Sequence, residues 1–95
     1  MIDEAKMFKA LGDNNRLSIF KMISSGEICA CRILENLHIS QPTLSRHMKV
    51  LVDSGLIKAR KDAQWMRYSL NEEAVRDLDS FFKKILKPDM VSSIE

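Results

Sequence analysis

The stretch SQPTLSRHMKVLVDSG, residues 40–55, constrains the fold of this chain more than any other segment. Ser40 is a good N-cap, because its hydroxyl can accept a hydrogen bond from an unpaired backbone N–H of the first turn. Pro42 falls where a missing N–H costs little, and Gly55 follows the last turn, where a left-handed residue usually ends a helix. Apolar residues recur between them at helical spacing, at Leu44, Met48, Leu51 and Val52.

The N-terminal half of this helix carries amides, hydroxyls, a guanidinium and an imidazole. Such groups suit phosphates and the base edges of the major groove. An ordinary amphipathic surface helix fits the same pattern, so the stretch alone does not separate the two interpretations. The residues predicted to meet DNA on this helix are Ser40, Gln41, Pro42, Thr43, Ser45, Arg46, His47 and Lys49.

Length and charge distribution limit the number of domains and the kind of partner that the chain can have. The 95 residues predict one domain over 1–95, with a folded core over 3–86 and a frayed tail over 87–95. Net charge is only +2, but residues 40–70 hold six basic and two acidic residues, whereas the rest of the chain holds nine and eleven. Positive charge gathered in one segment is typical of a nucleic-acid-binding surface, although a solvated face of uneven charge is the plainer alternative.

Three shorter helices are predicted ahead of the long one. The first covers residues 3–11. In the second, Leu17 is expected inside and Arg16 outside. The third covers residues 29–37 and leads through a short turn into the long helix. Two short helices joined by a few residues, with polar side chains on the second, are a helix-turn-helix pattern.

Beyond the long helix the pattern changes to β-branched and aromatic residues in partial alternation. It predicts strands near 57–61 and 65–70, joined by residues 62–64. Since this connection lacks glycine, a two-residue turn is not expected. A basic hairpin behind a recognition helix is a wing that can reach the DNA backbone or minor groove. Its predicted DNA contacts are Arg60, Lys61, Gln64 and Arg67.

Asn71 then caps a last helix over EEAVRDLDSFFKKIL, which Pro88 ends. The predicted fold class is mainly α with a small β-hairpin, in the order of a winged helix-turn-helix.

Four segments resemble the ArsR/SmtB family of metal-responsive repressors: ALGDNNRLSIFKMI, EICAC, SQPTLSRHMKVLVDSGLI and RKDAQWMRYSL. The resemblance covers residues 3–86, and SQPTLSRHMKVL is specific to this family. It implies a cytoplasmic transcriptional repressor that binds double-stranded operator DNA as a homodimer and releases it when a metal or metalloid binds. No obligatory cofactor is expected.

Dimerisation is expected through the first and last helices, which form the dimer interface in that family. Both helices carry apolar stripes that a chain this short cannot easily bury by itself. Packing of the stripes on their own domain is the alternative, and part of each stripe is expected to do so. The predicted interface residues are Phe8, Leu78, Phe81, Phe82 and Ile85.

Cys29 and Cys31 are the only cysteines. EICAC resembles the thiolate site of the arsenic-responsive branch, which often has a third cysteine where Leu34 stands here. A helix N-terminus and the adjacent Arg32 favour thiolates, the ligands that soft ions prefer. We therefore predict that both cysteines bind trivalent arsenic or antimony as inducer, with an external thiol or another ligand completing the site. Oxidation of the pair and a purely structural role are the alternatives.

A regular helix places residues two apart roughly 200° from each other. Both cysteines could then hold one ion only if the first turn of their helix unwound. That helix is expected to pack against the recognition helix through Leu34 and Leu37, so unwinding would re-aim the recognition helix.

Other functions have less support. A zinc or nickel site on the last helix, known in other members of the family, is not expected, because that helix has no histidine. His38 and His47 match no zinc spacing. A winged-helix interaction module without a DNA role stays open. No enzyme is predicted, since the chain has no glycine-rich phosphate loop, H-E-x-x-H motif or evident nucleophile–base pair. No apolar run approaches ~18 residues, so no membrane span is expected and the cytoplasm is the default location.

Overall fold

A computed structural model describes residues 3–87 of the chain. The mainly helical fold with a small antiparallel hairpin is confirmed. Within the described residues the elements run in the order α1 (Glu4–Leu11), α2 (Asn14–Ile23), β1 (Ile28–Cys29), α3 (Ala30–Leu37), α4 (Gln41–Asp53), β2 (Ile57–Asp62), β3 (Trp65–Leu70) and α5 (Glu72–Leu86). The expected helix end at Pro88 and all of the expected frayed tail except Lys87 lie outside the described residues.

Side-chain caps fix where three of the helices begin. The Asp3 carboxylate accepts a hydrogen bond from a backbone N–H of α1, and Asp13 does the same for α2. Ser40 caps α4. Each cap pairs a donor that the first turn leaves free, which typically stabilises a helix by ~1 kcal/mol.

One core joins the helices to the sheet. Its most deeply buried side chains are Ile19, Ile23, Ile33, Met48, Leu51 and Leu56. Burying one such side chain contributes roughly 1.5–3 kcal/mol. Met7 and Ala10 add α1 to this core, and Ala74 and Leu78 add α5. The core therefore holds α4 by its apolar side and leaves the polar side outward.

The buried face of α2 differs from the expectation. Leu17 is exposed, and Ile19 takes its place in the core, whereas Ile23 is buried as its spacing predicts. Arg16, expected outside, folds back so that its Nε donates a 2.6 Å hydrogen bond to the carbonyl of Ala10. A helix of ten residues with apolar side chains on several faces does not reveal by spacing alone which face is buried.

A three-stranded antiparallel sheet carries the wing, in the order β1-β3-β2. Strands β2 and β3 pair as far as Asp62↔Trp65, so Ala63 and Gln64 alone form the turn. The expectation of a longer turn is wrong. Ala63 adopts a positive φ of 58° where such turns usually have glycine. This conformation costs an L-residue roughly 1–2 kcal/mol, and the pairing of the two strands outweighs it.

Strand β1 joins the segment before α3 to the wing. The sequence leaves residues 27 and 28 open between strand and helix, and the structure pairs Ile28 with Tyr68 and Cys29 with Arg67. Helix α3 therefore begins at Ala30, one residue later than expected. Because opposed residues of antiparallel strands share a face of the sheet, Cys29 lies on the face that carries Arg67.

Candidate DNA-binding surface and cysteine pair

Ser40 holds the first turn of α4. Its Oγ accepts a 3.2 Å hydrogen bond from the N–H of Thr43 and donates one of 2.8 Å to Thr43 Oγ1. Pro42 stands in the first turn, where its missing N–H costs no hydrogen bond. Because these contacts fix the first turn, the other free backbone N–H groups at the helix N-terminus are positioned to bind an anion such as a phosphate.

The outward side of α4 is polar and basic. The exposed members of its predicted contact set are Ser40, Gln41, Pro42, Ser45, Arg46 and Lys49, and Thr43 is half-buried. Lys49 forms a 3.1 Å ion pair with Asp53, one turn further along. Arg46, in contrast, has no ion pair within residues 3–87. Arg46 is therefore the cation of α4 that is most available to a base edge or a phosphate.

His47 lies between α4 and α2 and does not stand on the open face. Its side chain is 15% exposed. Nη1 of Arg16 lies 3.3 Å from His47 Nδ1, which accepts a hydrogen bond from the guanidinium in the tautomer that carries its proton on Nε2. Oδ2 of Asp13 lies 4.0 Å from the same nitrogen. Of the two roles open to His47, a DNA contact or a packing residue, this geometry favours packing.

The tip of the wing presents polar side chains to solvent. Lys61 at the end of β2 and Gln64 in the turn are exposed. Arg67 on β3 donates through Nε to Oδ2 of Asp62 at 2.7 Å. This hydrogen bond lowers the pKa of the Asp62 carboxyl below its ordinary value. One of the two predicted DNA-contacting arginines of the wing is thus already paired.

Arg60, the second predicted arginine, is paired across the sheet with Glu27. Its Nε and Nη2 each donate a 2.8 Å hydrogen bond to the carboxylate. These hydrogen bonds are the main reason why the pKa of Glu27 is lowered and that of Arg60 is raised. The pair therefore stays charged at neutral pH.

The cysteines meet where β1 ends and α3 begins. A disulfide joins Cys29 and Cys31, whose Cα atoms are 5.2 Å apart. Cys29 is the N-cap of α3 and has extended backbone, with φ −74° and ψ 141°. The expectation that the two side chains diverge on a regular helix is wrong, because Cys29 lies outside the helix. Both sulfurs can converge without any unwinding.

Two polar groups adjoin Cys29. The backbone N–H of Cys31 donates to Cys29 Sγ at 3.2 Å, as an N-cap acceptor requires. Arg67 lies opposite Cys29 in the sheet. Within residues 3–87 no group of three or more Cys, His, Asp or Glu side chains could hold a metal ion. The two cysteines suit a soft ion, and the described residues provide no third ligand of these kinds.

An aromatic cluster joins α1 to α5. The ring centroids of Phe8, Phe81 and Phe82 lie 5.5–5.7 Å from each other. Phe82 is 50% exposed, and Ile85 beside it is similarly open. Leu78, which was predicted to join the interface, is only 8% exposed and belongs to the core of its own domain.

Two contacts of predicted site residues could not be predicted from the sequence. Arg16 reaches His47 across 31 residues of sequence, and Glu27 reaches Arg60 across 33. Local periodicity carries no information on such distant pairs. Charge complementarity between segments was the only available signal, and it does not specify the partners.

The arrangement of the helices and the sheet identifies the class of protein. Helices α3 and α4 form a helix-turn-helix, and the β2–β3 wing adds a second polar surface, as in winged-helix DNA-binding regulators. The chain belongs to the arsR family of bacterial regulatory proteins, whose family model matches residues 13–59. This family consists of DNA-binding transcriptional regulators, and the resemblance read from the sequence is confirmed.

Named relatives support the family. Over 72 residues the chain is 47% identical to an arsenical resistance operon repressor of Staphylococcus aureus, covering 76% of this chain and 69% of that protein. It is 49% identical over 67 residues to one of Staphylococcus xylosus, covering 70% and 64%. The crystal structure of an ArsR family transcriptional regulator superposes with a TM-score of 0.78 over 88% of this chain and 91% of that one. At 19% identity, this likeness shows the fold.

Among residues 3–87, none of the helices has the length and apolar character needed to cross a membrane.

Proposed function

We propose that two copies of this chain form a cytoplasmic repressor that binds operator DNA through α4 and the wing. Trivalent arsenic or antimony, bound by Cys29 and Cys31, releases the DNA. The observation that carries the proposal is the meeting of both sulfurs at the end of β1, a strand that pairs directly with wing strand β3. The relatives named as arsenical resistance operon repressors support this choice of inducer.

DNA binding uses two kinds of contact from α4. Phosphate contacts supply affinity and register, whereas base-edge contacts supply specificity. Arg46 is suited to the second role, since a guanidinium can donate two parallel hydrogen bonds to guanine. The N-terminus of α4 and the exposed Lys61 are suited to phosphates.

The second copy occupies the aromatic face made by Phe8, Phe81, Phe82, Ile85 and Leu86. These side chains form a continuous apolar surface across α1 and α5, and Phe82, Ile85 and Leu86 are all at least half exposed. Apolar clusters of this kind mark interfaces. A domain of this size also gains from a partner that buries part of its surface. Two α4 helices would then enter successive major grooves about 34 Å apart.

The two cysteines supply part of the ligand set of the inducer. Trivalent arsenic forms three bonds, and Cys29 and Cys31 provide two thiolates. A small thiol from solution, or another external ligand, completes the site, because the described residues offer no third cysteine, histidine or carboxylate. Thiolates are the ligands that soft ions prefer.

Release passes through the sheet to the wing. Cys29 pairs with Arg67 of β3, and α3 packs on both β1 and β3. Since the sulfurs already converge, occupation of the site does not require α3 to unwind. A shift of Cys29 is instead transmitted to β3 by direct strand pairing. Helix α2, which packs on both α3 and α4, offers a second route to the DNA-binding surface.

A redox switch is the second candidate, and the Cys29–Cys31 disulfide is the observation that favours it. Hydrogen peroxide would accept two electrons and two protons from the two thiols, which gives one disulfide and two molecules of water. A thiol reductant would reverse the reaction by disulfide exchange.

Fluorescence anisotropy separates these candidates. The probe is a labelled duplex selected for binding from a random pool, and the proteins are the reduced wild type and the Cys29→Ser/Cys31→Ser variant. We expect both proteins to bind the duplex with similar affinity, and arsenite to release the wild type alone. Reversible release by peroxide but not by arsenite would replace the arsenic proposal with the redox one. If neither reagent acts, the cysteines are structural and both candidates are wrong.

A further inference from the structure

The Glu27–Arg60 pair ties the segment before the cysteines to the wing. The guanidinium presents Nε and Nη2 to the two carboxylate oxygens, each at 2.8 Å. The Arg60 side chain is 57% exposed and that of Glu27 is 34% exposed. The pair therefore stands at the surface, where a DNA phosphate can approach the guanidinium.

Both partners lie on one face of the sheet. Arg60 is opposite Arg67 across β2 and β3, and Arg67 is opposite Cys29 across β3 and β1. Glu27 precedes β1, and its two hydrogen bonds with Arg60 place its carboxylate on the same face. Two neighbouring arginines repel each other there. Glu27 and Asp62 each pair with one of them and offset that repulsion.

A carboxylate and a phosphate are alternative partners for one guanidinium, because both accept two parallel N–H bonds. Glu27 already accepts both of these hydrogen bonds from Arg60, each at 2.8 Å. A phosphate that takes the Nε–Nη2 edge of Arg60 must displace Glu27.

We propose that Glu27 limits how tightly the wing holds DNA, because its carboxylate competes with a backbone phosphate for Arg60. This inference rests on the proposed DNA binding by the wing. Glu27 thus acts against the basic residues around it. It keeps the affinity of the wing for DNA below the value that those basic residues alone would give. A repressor that must let go of its operator gains from such a limit.

The test compares Glu27→Gln with Glu35→Gln. Both variants remove one negative charge, but Glu35 pairs with Arg32 on α3, at 3.9 Å, and not with the wing. We expect Glu27→Gln to bind the selected duplex about two- to fivefold more tightly than Glu35→Gln at low salt. Its affinity should also fall more steeply with salt, because Arg60 gains a phosphate contact. An Arg60→Gln background should abolish the difference, and circular dichroism checks the fold of each variant.

Equal affinities of Glu27→Gln and Glu35→Gln would overturn the inference. Weaker binding by Glu27→Gln would also overturn it, since Glu27 would then position Arg60 for DNA. A second comparison does not depend on how Glu27→Gln folds: Arg60→Gln should weaken binding by the wild type less than Lys61→Gln does, and an equal or larger loss contradicts the proposal. If the wild type shows no salt-dependent DNA binding, the proposed function fails and not this inference alone.

Discussion

Helix α4 and the cysteine segment, residues 29–31, belong to the two halves of one helix-turn-helix, yet their surroundings differ. The outer face of α4 is open, and Arg46 there has no ion pair within residues 3–87. The cysteine segment is enclosed: Cys29 is 7% exposed and is paired in the sheet with Arg67. The open region suits direct contact with a large partner. The enclosed region suits a small ligand whose effect is passed on by its neighbours.

This difference predicts which property each kind of mutation should change. Changes on the open face of α4 should alter DNA affinity and leave the thiol chemistry unchanged. Changes in residues that connect the two regions should alter both the DNA affinity and the thiol chemistry.

Phe82→Asp should abolish tight DNA binding by separating the two copies. It places a charge in the aromatic face, at a cost of several kcal/mol if a second copy buries that face. We expect a monomer in sedimentation velocity at micromolar concentration and loss of tight binding to the selected duplex. Ser80→Asp, exposed on the same helix, adds the same charge and should stay dimeric. A dimeric Phe82→Asp protein would show that the interface lies elsewhere.

Arg46→Ala should affect the DNA-binding region alone. A lost base-edge contact costs about 1–3 kcal/mol and relaxes the preference at one base pair. Arsenite binding, measured by titration calorimetry, should not change. Arg76→Ala is the matched control, because Arg76 is exposed on α5 and pairs with Glu72 of the same helix. If both variants bind DNA like the wild type, α4 does not read DNA through Arg46.

His47→Ala should reduce stability more than DNA affinity. The change removes the acceptor that faces Arg16 between α2 and α4, and a lost hydrogen bond of this kind costs about 1 kcal/mol. Urea unfolding measures the loss, with Gln41→Ala on the exposed face as the control that should be neutral. Unchanged stability together with weaker DNA binding would assign His47 to the DNA-contacting surface after all.

Ala63→Gly should stabilise the wing by about 0.5–1 kcal/mol, because glycine adopts the positive φ of this turn without strain. Ala59→Gly, within strand β2, should have the opposite sign. Thermal unfolding compares the two, and DNA specificity should not change in either. A destabilised Ala63→Gly protein would mean that the left-handed turn carries no strain.

The sequence was sufficient for α4 because its signals are local. Ser40, Pro42 and the apolar spacing of Leu44, Met48 and Leu51 all lie within four turns of helix, and the structure confirms each of them. The bounds of β3 were also predicted correctly, since the apolar residues Met66, Tyr68 and Leu70 alternate there with polar ones.

The cysteine site could be predicted in identity but not in geometry. The position of Cys29 depends on pairing between β1 and β3, across about forty residues of chain, and no local period encodes it. Without that pairing, Cys29 was placed inside α3 and the sulfurs were expected to diverge. The Glu27–Arg60 pair was missed for the same reason. The two-residue turn was missed because Ala63 accepts a conformation that its side chain disfavours.

The most direct test of the coupling between the two regions is the affinity of the reduced protein for arsenite, measured with and without a saturating amount of the selected duplex. Coupling between sites is reciprocal, so the factor by which DNA weakens arsenite binding must equal the factor by which arsenite weakens DNA binding. We predict two equal factors, both well above one. Arsenite affinity that depends on Cys29 and Cys31 but is the same with and without DNA would contradict the account, because the cysteine segment would then bind its ligand without controlling α4 or the wing.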